Sequence, residues 1–224
     1  MKINKTLLIL DTETGGTDPN IHSLMEIACI VLKNNKIVKK YTSLLKSNNG
    51  KYVCNDFARK MHGITDEELN MFGKFPIDII KDLKEIQKTY FNNEPMTIVA
   101  HNASFDIPFV KKMFSENVGT LTSTVNNNEL DYNNMFSRNV IDTATMALIL
   151  RLQNKLPFDR CSLDNILTFY NIKQKVNLRH TALFDATQTA KAFILMFKDL
   201  SSNNVKIKES NKKYESDFDD SKKL

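Results

Sequence analysis

The sequence predicts an α/β protein with a mixed five-stranded sheet flanked by helices, and three patterns support this fold class. Short apolar runs that end in turn residues alternate with longer segments of helical periodicity. The second and third runs flank a polar turn of hairpin length, which favours an antiparallel arrangement of the first three strands. The composition, with 42% hydrophobic and 25% charged residues, is typical of a globular domain.

The predicted strands begin with the apolar run 6–10, which is followed at once by Asp11 and then by the turn residues Gly15 and Gly16. A buried strand of this kind is expected to end where the polar residues begin, so Asp11 is placed at its exit. The other apolar runs predict strands at 25–32, 37–45, 96–100 and 139–142.

Helices are predicted where apolar residues recur at helical spacing or where capping residues open such a pattern. These segments are 54–61, a helix starting at 65, 76–91, a helix running through 113, a helix after 142, 162–170 and 182–200. The stretch 115–138 is rich in Asn, Thr and Ser and lacks periodicity, which predicts a long surface loop.

The length suits one domain, assigned to residues 1–200, followed by a polar tail at 201–224 that is predicted to be disordered. No apolar run reaches the about 18 residues that a membrane span requires, and the N-terminus lacks the pattern of a secretory signal. We therefore expect a cytoplasmic protein without a membrane partner. The three cysteines, widely spaced and odd in number, are expected to be reduced thiols, two of them in the core.

The net charge of +5 is compatible with a polyanionic partner such as nucleic acid. Lysine and asparagine are abundant along the whole chain, so the charge alone carries little weight.

Asp11 and Glu13 stand two positions apart at the exit of the predicted strand, so the alternation of strand side chains is expected to point both to the same side of the sheet. Two carboxylates held so close repel each other unless a proton or a cation neutralises them, and hard oxygen ligands suit Mg²⁺ or Mn²⁺. The alternative is a solvated strand end, where such acids are common. A metal site therefore needs further acids.

Two later segments offer such acids. Asp106 lies in the first turn of the helix that follows the strand 96–100, although acids at that position are also favoured by the helix dipole alone. His180 stands five residues before Asp185, at the start of the last predicted helix. A histidine close to metal-binding acids can accept a proton from water at neutral pH, whereas an isolated one is more often structural.

These three segments, in this order, resemble the exonuclease motifs of the DEDD superfamily in its histidine-containing branch. They are most similar to the epsilon proofreading subunits of bacterial DNA polymerase III. The resemblance extends over roughly residues 7–197, and Thr181 occupies the position where relatives of another branch carry a tyrosine. The resemblance also extends beyond the acids to four stretches, namely KMHGIT (60–65), AHNASFD (100–106), IDT (141–143) and SLD (162–164).

The resemblance implies a ribonuclease H-like fold and a metal-dependent 3′–5′ exonuclease that releases nucleoside monophosphates. It implies that four acids hold two Mg²⁺ or Mn²⁺ ions and that His180 is the general base. The four acids are Asp11, Glu13, Asp106 and Asp185. Asp142 matches an additional acid of the family and is expected to orient the site, with a helix cap as the alternative.

Four further residues are predicted to contact the substrate, namely Thr14, His62, His101 and Asn102. The small residues after Glu13 would let a nucleotide backbone approach, although an ordinary tight turn explains them equally well. His101 has a local hydrogen bond in its turn as the alternative.

Three functional hypotheses remain open at this point. The first is a DNA 3′-exonuclease of proofreading or repair type, acting on single strands or on the 3′ ends of duplex DNA. The second is an RNA-trimming enzyme or oligoribonuclease with the same catalytic residues. The third is a binding or scaffolding module without catalysis. A DNA polymerase is a candidate partner, although residues 198–224 contain no convincing clamp-binding segment, and the sequence does not indicate the oligomeric state.

Overall fold

Five strands form one mixed sheet in the order β3-β2-β1-β4-β5 in the computed structural model, which describes residues 2–118, 130–173 and 181–202. Strands β1 to β3 are antiparallel, whereas β4 and β5 run parallel to β1. The predicted sheet, with its first three strands antiparallel, is confirmed. The strands are β1 (Leu7–Thr14), β2 (Leu24–Lys33), β3 (Lys36–Leu44), β4 (Met96–Ala100) and β5 (Phe136–Asp142).

The described residues contain eight helices, and local sequence signals account for several of their ends. Thr65 and Glu68 form a capping box at the start of α2, and Pro76 opens α3. Gly63 ends α1 with φ of 71°, a left-handed conformation that glycine adopts without strain. The helices are α1 (Asp56–His62), α2 (Asp66–Phe72), α3 (Pro76–Phe91), α4 (Ala103–Val118), α5 (Tyr132–Met135), α6 (Thr143–Leu152), α7 (Leu163–Phe169) and α8 (Ala182–Leu200).

The β2–β3 hairpin closes through Asn34 and Asn35, which have φ angles of 54° and 62°. A two-residue turn with both central residues left-handed matches the twist of the flanking strands, and asparagine tolerates this conformation. The side chain of Asn35 also accepts a hydrogen bond from the backbone N–H of Ile3 at 3.0 Å. The turn thereby fixes the register of β2 against β3, and its Asn35 side chain holds the segment that leads into β1.

Helices cover both faces of the sheet, and strand alternation decides which residues face which layer. Leu8 and Leu10 of β1 belong to the apolar cluster formed with α3 and α4. Leu7 and Ile9 belong to the other cluster, which includes residues of α6, α7 and α8. Continuing this alternation, Asp11 and Glu13 lie on the α8 side of β1, and the intervening Thr12 lies on the α4 side.

Helix α8 approaches the sheet through small side chains. Ala182, Ala186 and Ala190 recur every four residues and are completely buried. Residues at this spacing share one face of a helix, and a face of methyl groups lets the helix backbone come close to the strands. This close approach brings the first turn of α8, with Asp185, to the polar end of β1.

Two boundaries differ from the sequence-based predictions. Strand β1 continues past Leu10 to Thr14, because residues 11–14 keep pairing with β2 although they are polar. Asp11 therefore lies within the strand and not at its exit. The predicted loop 115–138 is also wrong in part, since α4 extends to Val118 and α5 and β5 occupy 132–142. Residues 119–129 lie outside the described part of the chain.

The packing of Phe136 explains why strand and helix replace the predicted loop after residue 130. Phe136 is 1% exposed, and its ring lies 5.6 Å from that of Phe114 and 4.9 Å from that of Tyr132. Aromatic rings at such distances stabilise each other beyond the area that they bury. Periodicity over a few residues does not reveal this long-range contact.

Among the cysteines, Cys29 is buried, whereas Cys54 and Cys161 are partly exposed, so the prediction of two core cysteines is wrong. Within the described ranges, no helix is long and apolar enough to cross a membrane. The predicted tail lies outside these ranges from residue 203 onward.

Candidate active site

Three carboxylates meet at the end of β1. Asp11, Glu13 and Asp185 each offer one oxygen atom, and these atoms all lie within 4.8 Å of one another. The two strand acids project toward α8 by alternation, and Asp185 comes from the first turn of that helix. Oxygen atoms at such separations can coordinate one small divalent cation.

The start of α8 is fixed by two hydrogen bonds. The side chain of Thr181 accepts from the backbone N–H of Phe184, and the backbone N–H of Ala182 donates to the carboxylate of Glu26 at 3.0 Å. Both bonds satisfy N–H groups that have no partner within the helix. Asp185 therefore stands on a helix turn that is anchored at its beginning.

Asp106 approaches the strand acids from the other helix layer. Its side chain is 3% exposed, and its Oδ1 accepts a hydrogen bond from the Thr12 hydroxyl at 2.7 Å. Thr12 stands between Asp11 and Glu13 in β1, so one strand links acids on both sides of the sheet. An acid that serves only the helix dipole can remain in water. Asp106 is buried instead, and burial of a charged carboxylate costs free energy unless a partner such as a cation compensates for it.

Burial and mutual repulsion raise the pKa values of these acids. Burial raises the pKa of Asp11 well above its usual range, and the charges of four neighbouring carboxylates raise it further. Burial, followed by the neighbouring acids, raises the pKa of Glu13 to about 8. Burial raises the pKa of Asp106 to about 7, although the hydrogen bond from Thr12 opposes this shift. Near neutral pH the site therefore favours a proton or a cation.

The raised pKa of Glu13 predicts how the stability of the metal-free protein depends on pH. An acid whose pKa rises on folding destabilises the native state above its unfolded value, here 4.5, and fully so above about 8. In EDTA, Glu13→Gln should raise the melting temperature at pH 8 by on the order of 5 °C. At pH 4 it should change little. Thermal melts of both proteins across pH measure this, and an equal effect at both pH values would contradict it.

Asp142 connects two turns next to Asp106. Its Oδ1 accepts hydrogen bonds from the backbone N–H groups of Asn102 at 3.0 Å and of Ala144 at 2.8 Å, and its Oδ2 accepts from Ala103 at 3.1 Å. The first and third of these bonds tie the β4–α4 turn, and the second caps α6. The capping alternative from the sequence is therefore present, and the same carboxylate also positions the start of α4. Its role in a reaction stays a prediction.

Two of the predicted substrate contacts have local partners. The Thr14 hydroxyl is buried and donates to the carbonyl oxygen of Gly16 at 2.7 Å. The Nδ1 atom of His62 accepts from the backbone N–H of Ile64 at 2.9 Å, and burial lowers the pKa of His62. These contacts account for both residues structurally. Their contact with a substrate stays a prediction.

The other two lie in the turn between β4 and α4. The Nδ1 atom of His101 lies 3.0 Å from the Thr143 hydroxyl, and burial lowers the pKa of this imidazole. Asn102 is exposed, has φ of 63°, and accepts a hydrogen bond from the Ser104 hydroxyl at 3.1 Å. Its side chain is exposed and lies close to Asp106 in the sequence, so a contact with the substrate stays a prediction.

The glycines after Thr14 serve the protein's own turn. A Cβ atom added to Gly15 would lie 2.0 Å from the carbonyl oxygen of Val53, and one added to Gly16 would lie 2.4 Å from the ring of His22. The backbone N–H of Gly15 also donates to Ser23 at 2.8 Å. Close packing against Val53 and His22 thus explains both glycines structurally, and neither has the positive φ that only a glycine turn would require.

Two residues complete the comparison with the sequence. His180 lies outside the described residues, so its predicted role stays untested. Glu26 was not singled out, because it falls within the apolar run 25–32, yet it is 8% exposed and adds its charge to those around Asp11 and Glu13. The available signal was a single acid inside an otherwise apolar strand.

Comparison with known proteins defines the class of this protein. The model of the exonuclease family RNase_T matches residues 8–193, and the chain belongs to this family. The predicted 3′–5′ exonuclease and the ribonuclease H-like fold are thereby confirmed. The resemblance to epsilon subunits is also confirmed: the chain is 31% identical over 204 residues to DNA polymerase III subunit epsilon of Buchnera aphidicola subsp. Schizaphis graminum. That alignment covers 88% of this chain and 76% of the relative.

Other similar proteins are much longer than this chain. DNA polymerase III PolC-type of Mycoplasmopsis pulmonis is 24% identical over 92% of this chain, which spans only 12% of that polymerase. Exonuclease I of E. coli, solved with a dT13 oligonucleotide, superposes with a TM-score of 0.67 and 17% identity. The superposition covers 85% of this chain and 40% of that structure, and it establishes a shared fold.

Proposed function

We propose that this protein removes nucleoside monophosphates from the 3′ end of DNA by metal-dependent hydrolysis, with Asp11, Glu13, Asp106, Asp185 and His180 as its catalytic residues. The observation that carries the proposal is the meeting of three carboxylate oxygens within 4.8 Å at the end of β1. The buried Asp106 lies outside this group of three, but its charge raises the pKa values of Asp11 and Glu13, which supports it as a fourth acid of the site. At neutral pH, acids gathered in this way favour the uptake of protons or of cations, and cations give the site its chemistry.

The donor set fits two Mg²⁺ or Mn²⁺ ions. Carboxylate oxygens are the ligands that both ions prefer, and the raised pKa values of Glu13 and Asp106 indicate a site that lacks positive charge. Asp11, Glu13 and Asp185 would hold the ions together with Asp106, whose orientation Thr12 fixes through one oxygen. When bound, such ions lower the pKa of the attacking water and stabilise the leaving 3′-oxygen.

His180 would accept the proton of the attacking water. This requires a neutral imidazole within hydrogen-bond reach of the water when substrate is bound. In the sequence, His180 directly precedes Thr181, the residue that caps α8 and so helps to fix Asp185. The base and one metal ligand would thus come from the same short segment.

DNA is the proposed substrate because of the relatives. The relatives named above are subunits of DNA polymerase III or a DNA polymerase, and the related exonuclease I was solved with a DNA oligonucleotide. We extend this to a proofreading or repair role, with a DNA polymerase as the proposed partner. RNA trimming by the same catalytic residues is the alternative outcome.

Matched DNA and RNA oligonucleotides, each with a free and a blocked 3′ end and a label at the 5′ end, test substrate and direction together. We expect a ladder of shortened products from DNA with a free 3′ end, no shortening of the blocked DNA, and slower shortening of RNA. Faster shortening of RNA would establish the alternative. Cleavage of blocked and free strands at equal rates would contradict attack at the 3′ end, and no cleavage with Mg²⁺ or Mn²⁺ would favour a non-catalytic module.

A further inference from the structure

Glu26 is a buried acid in the middle of the sheet. Its neighbours Met25 and Ile27 are completely buried, and Glu26 itself is 8% exposed. In the β1–β2 ladder its Cα pairs with that of Glu13. Residues directly opposite in an antiparallel pair project from the same face, so Glu26 stands beside Glu13 on the α8 side of the sheet. A carboxylate in this place needs hydrogen-bond partners.

Both carboxylate oxygens of Glu26 have such partners. Oε1 accepts from the Thr42 hydroxyl at 2.7 Å, and Oε2 accepts from the backbone N–H of Ala182 at 3.0 Å. Ala182 is the first residue of α8, where the N–H groups point out of the helix and favour negative charge. Glu26 therefore ties the start of α8 to the sheet. The two residues of this contact, Glu26 and Ala182, lie 156 positions apart in the sequence.

We propose that Glu26 is a positioning residue for the nuclease site. By holding the backbone N–H of Ala182, it sets how closely the first turn of α8 stands above β1, and hence where the Asp185 carboxylate meets Asp11 and Glu13. The inference rests on the proposed metal site. Glu26 is assigned to the helix and not to the metal, because each of its oxygens accepts a hydrogen bond from the protein and because the carboxylate oxygens that meet within 4.8 Å in the described residues come from Asp11, Glu13 and Asp185.

Two substitutions separate the reach of this side chain from its charge. Glu26→Gln keeps the length and one acceptor oxygen for the Ala182 N–H. Its new amide nitrogen can donate to the Thr42 hydroxyl, which lies 3.3 Å from its alternative acceptor, the carbonyl oxygen of Ile27. Glu26→Asp keeps the charge but shortens the side chain by one carbon–carbon bond, about 1.5 Å. The shorter side chain cannot hold both Thr42 and Ala182.

The experiment measures kcat and KM on a DNA oligonucleotide and the Mn²⁺ concentration that gives half-maximal activity. We expect the Gln variant to stay within about threefold of wild type in kcat. The Asp variant should lose at least about tenfold in kcat and require more Mn²⁺, with KM for DNA nearly unchanged, because small displacements of a metal ligand are costly. The reverse ranking, or three equal enzymes, would overturn the proposal.

Ala182→Pro provides a second variant that removes the same N–H and leaves Glu26 intact. Proline is tolerated at the first helical position, and Thr181 before it already has an extended backbone with φ of −118° and ψ of 132°. We expect this variant to reproduce the loss in kcat and in Mn²⁺ dependence, and we expect a matched Ala182→Val variant, which adds similar volume at this buried position but keeps the N–H, to lose less. If it folds, as circular dichroism would report, and behaves like wild type, Glu26 does not act through Ala182.

A control variant and a binding measurement distinguish this inference from its premises. Cys29→Ala removes a buried group on the opposite face of β2, so it should lower the melting temperature and leave the Mn²⁺ requirement unchanged. Binding of Mn²⁺ without DNA, followed by the electron paramagnetic resonance of the free ion, should give the same ranking of variants. An inactive wild type would refute the proposed function, and this binding series would still decide the role of Glu26.

Discussion

In excess EDTA the purified protein should release no nucleotides from a DNA oligonucleotide, a loss of at least several orders of magnitude. Three carboxylates that offer oxygens within 4.8 Å of one another give an incoming phosphate no attraction, whether they are charged or protonated. Divalent cations held by these acids would reverse the sign of this site and would supply the activation of the attacking water. Without them the acids hold protons near neutral pH, and the phosphodiester meets no positive charge from this cluster.

The measurement is the rate of product formation from a 5′-labelled oligonucleotide before and after chelation. Adding Mg²⁺ or Mn²⁺ beyond the EDTA concentration should restore the original rate, which excludes unfolding as the cause of the loss. Full activity that persists in EDTA would refute the metal-dependent mechanism.

Asp11→Asn should lower kcat by about a thousandfold or more while the protein stays folded. Asp11 faces the carboxylates of Glu13 and Asp185, so the amide removes a ligand from the centre of the group. It also removes the charge of a partly buried carboxylate, which should not destabilise the metal-free fold, because the pKa of Asp11 is raised well above its usual range. Single-turnover rates on DNA measure the loss of activity, thermal melts in EDTA measure the stability, and Mn²⁺ binding measures the loss of the ligand.

His180→Ala is the matched control for the Asp11 variant. A general base contributes about 10²–10⁴-fold, so its loss should lower kcat by that range and leave Mn²⁺ binding close to wild type. Asp11→Asn should lower both quantities. An Asp11 variant with wild-type activity would remove this residue from the site, and a His180 variant with weakened Mn²⁺ binding would make His180 a ligand instead of the base.

The strand acids could be predicted from sequence because strand alternation is a local rule. Asp11 and Glu13 project from one face wherever the strand lies, and their repulsion indicates a cation. Helices with local start signals, such as the Thr65–Glu68 capping box, were likewise predicted nearly to the residue. These signals depend on neighbours within a few positions of the chain.

Other parts depend on contacts between distant residues, which spacing does not reveal. The end of β1 was missed because the acids replace apolar residues exactly where backbone pairing with β2 continues. Asp106 and Asp185 were assigned through the family resemblance, since their approach depends on how α4 and α8 pack on the sheet. Glu26 was missed because its partner Ala182 lies 156 positions away.

The three buried alanines of α8 have a consequence for the evolution of this enzyme. Side-chain volume at 182, 186 and 190 sets the gap between helix and sheet, so a larger residue there would lift Asp185 from its partners without altering any acid. Activity can therefore be lost through substitutions at apolar positions, which an inspection of the catalytic residues alone would not detect. Relatives that keep all five of the proposed catalytic residues but carry bulky side chains on this face are candidates for inactive descendants.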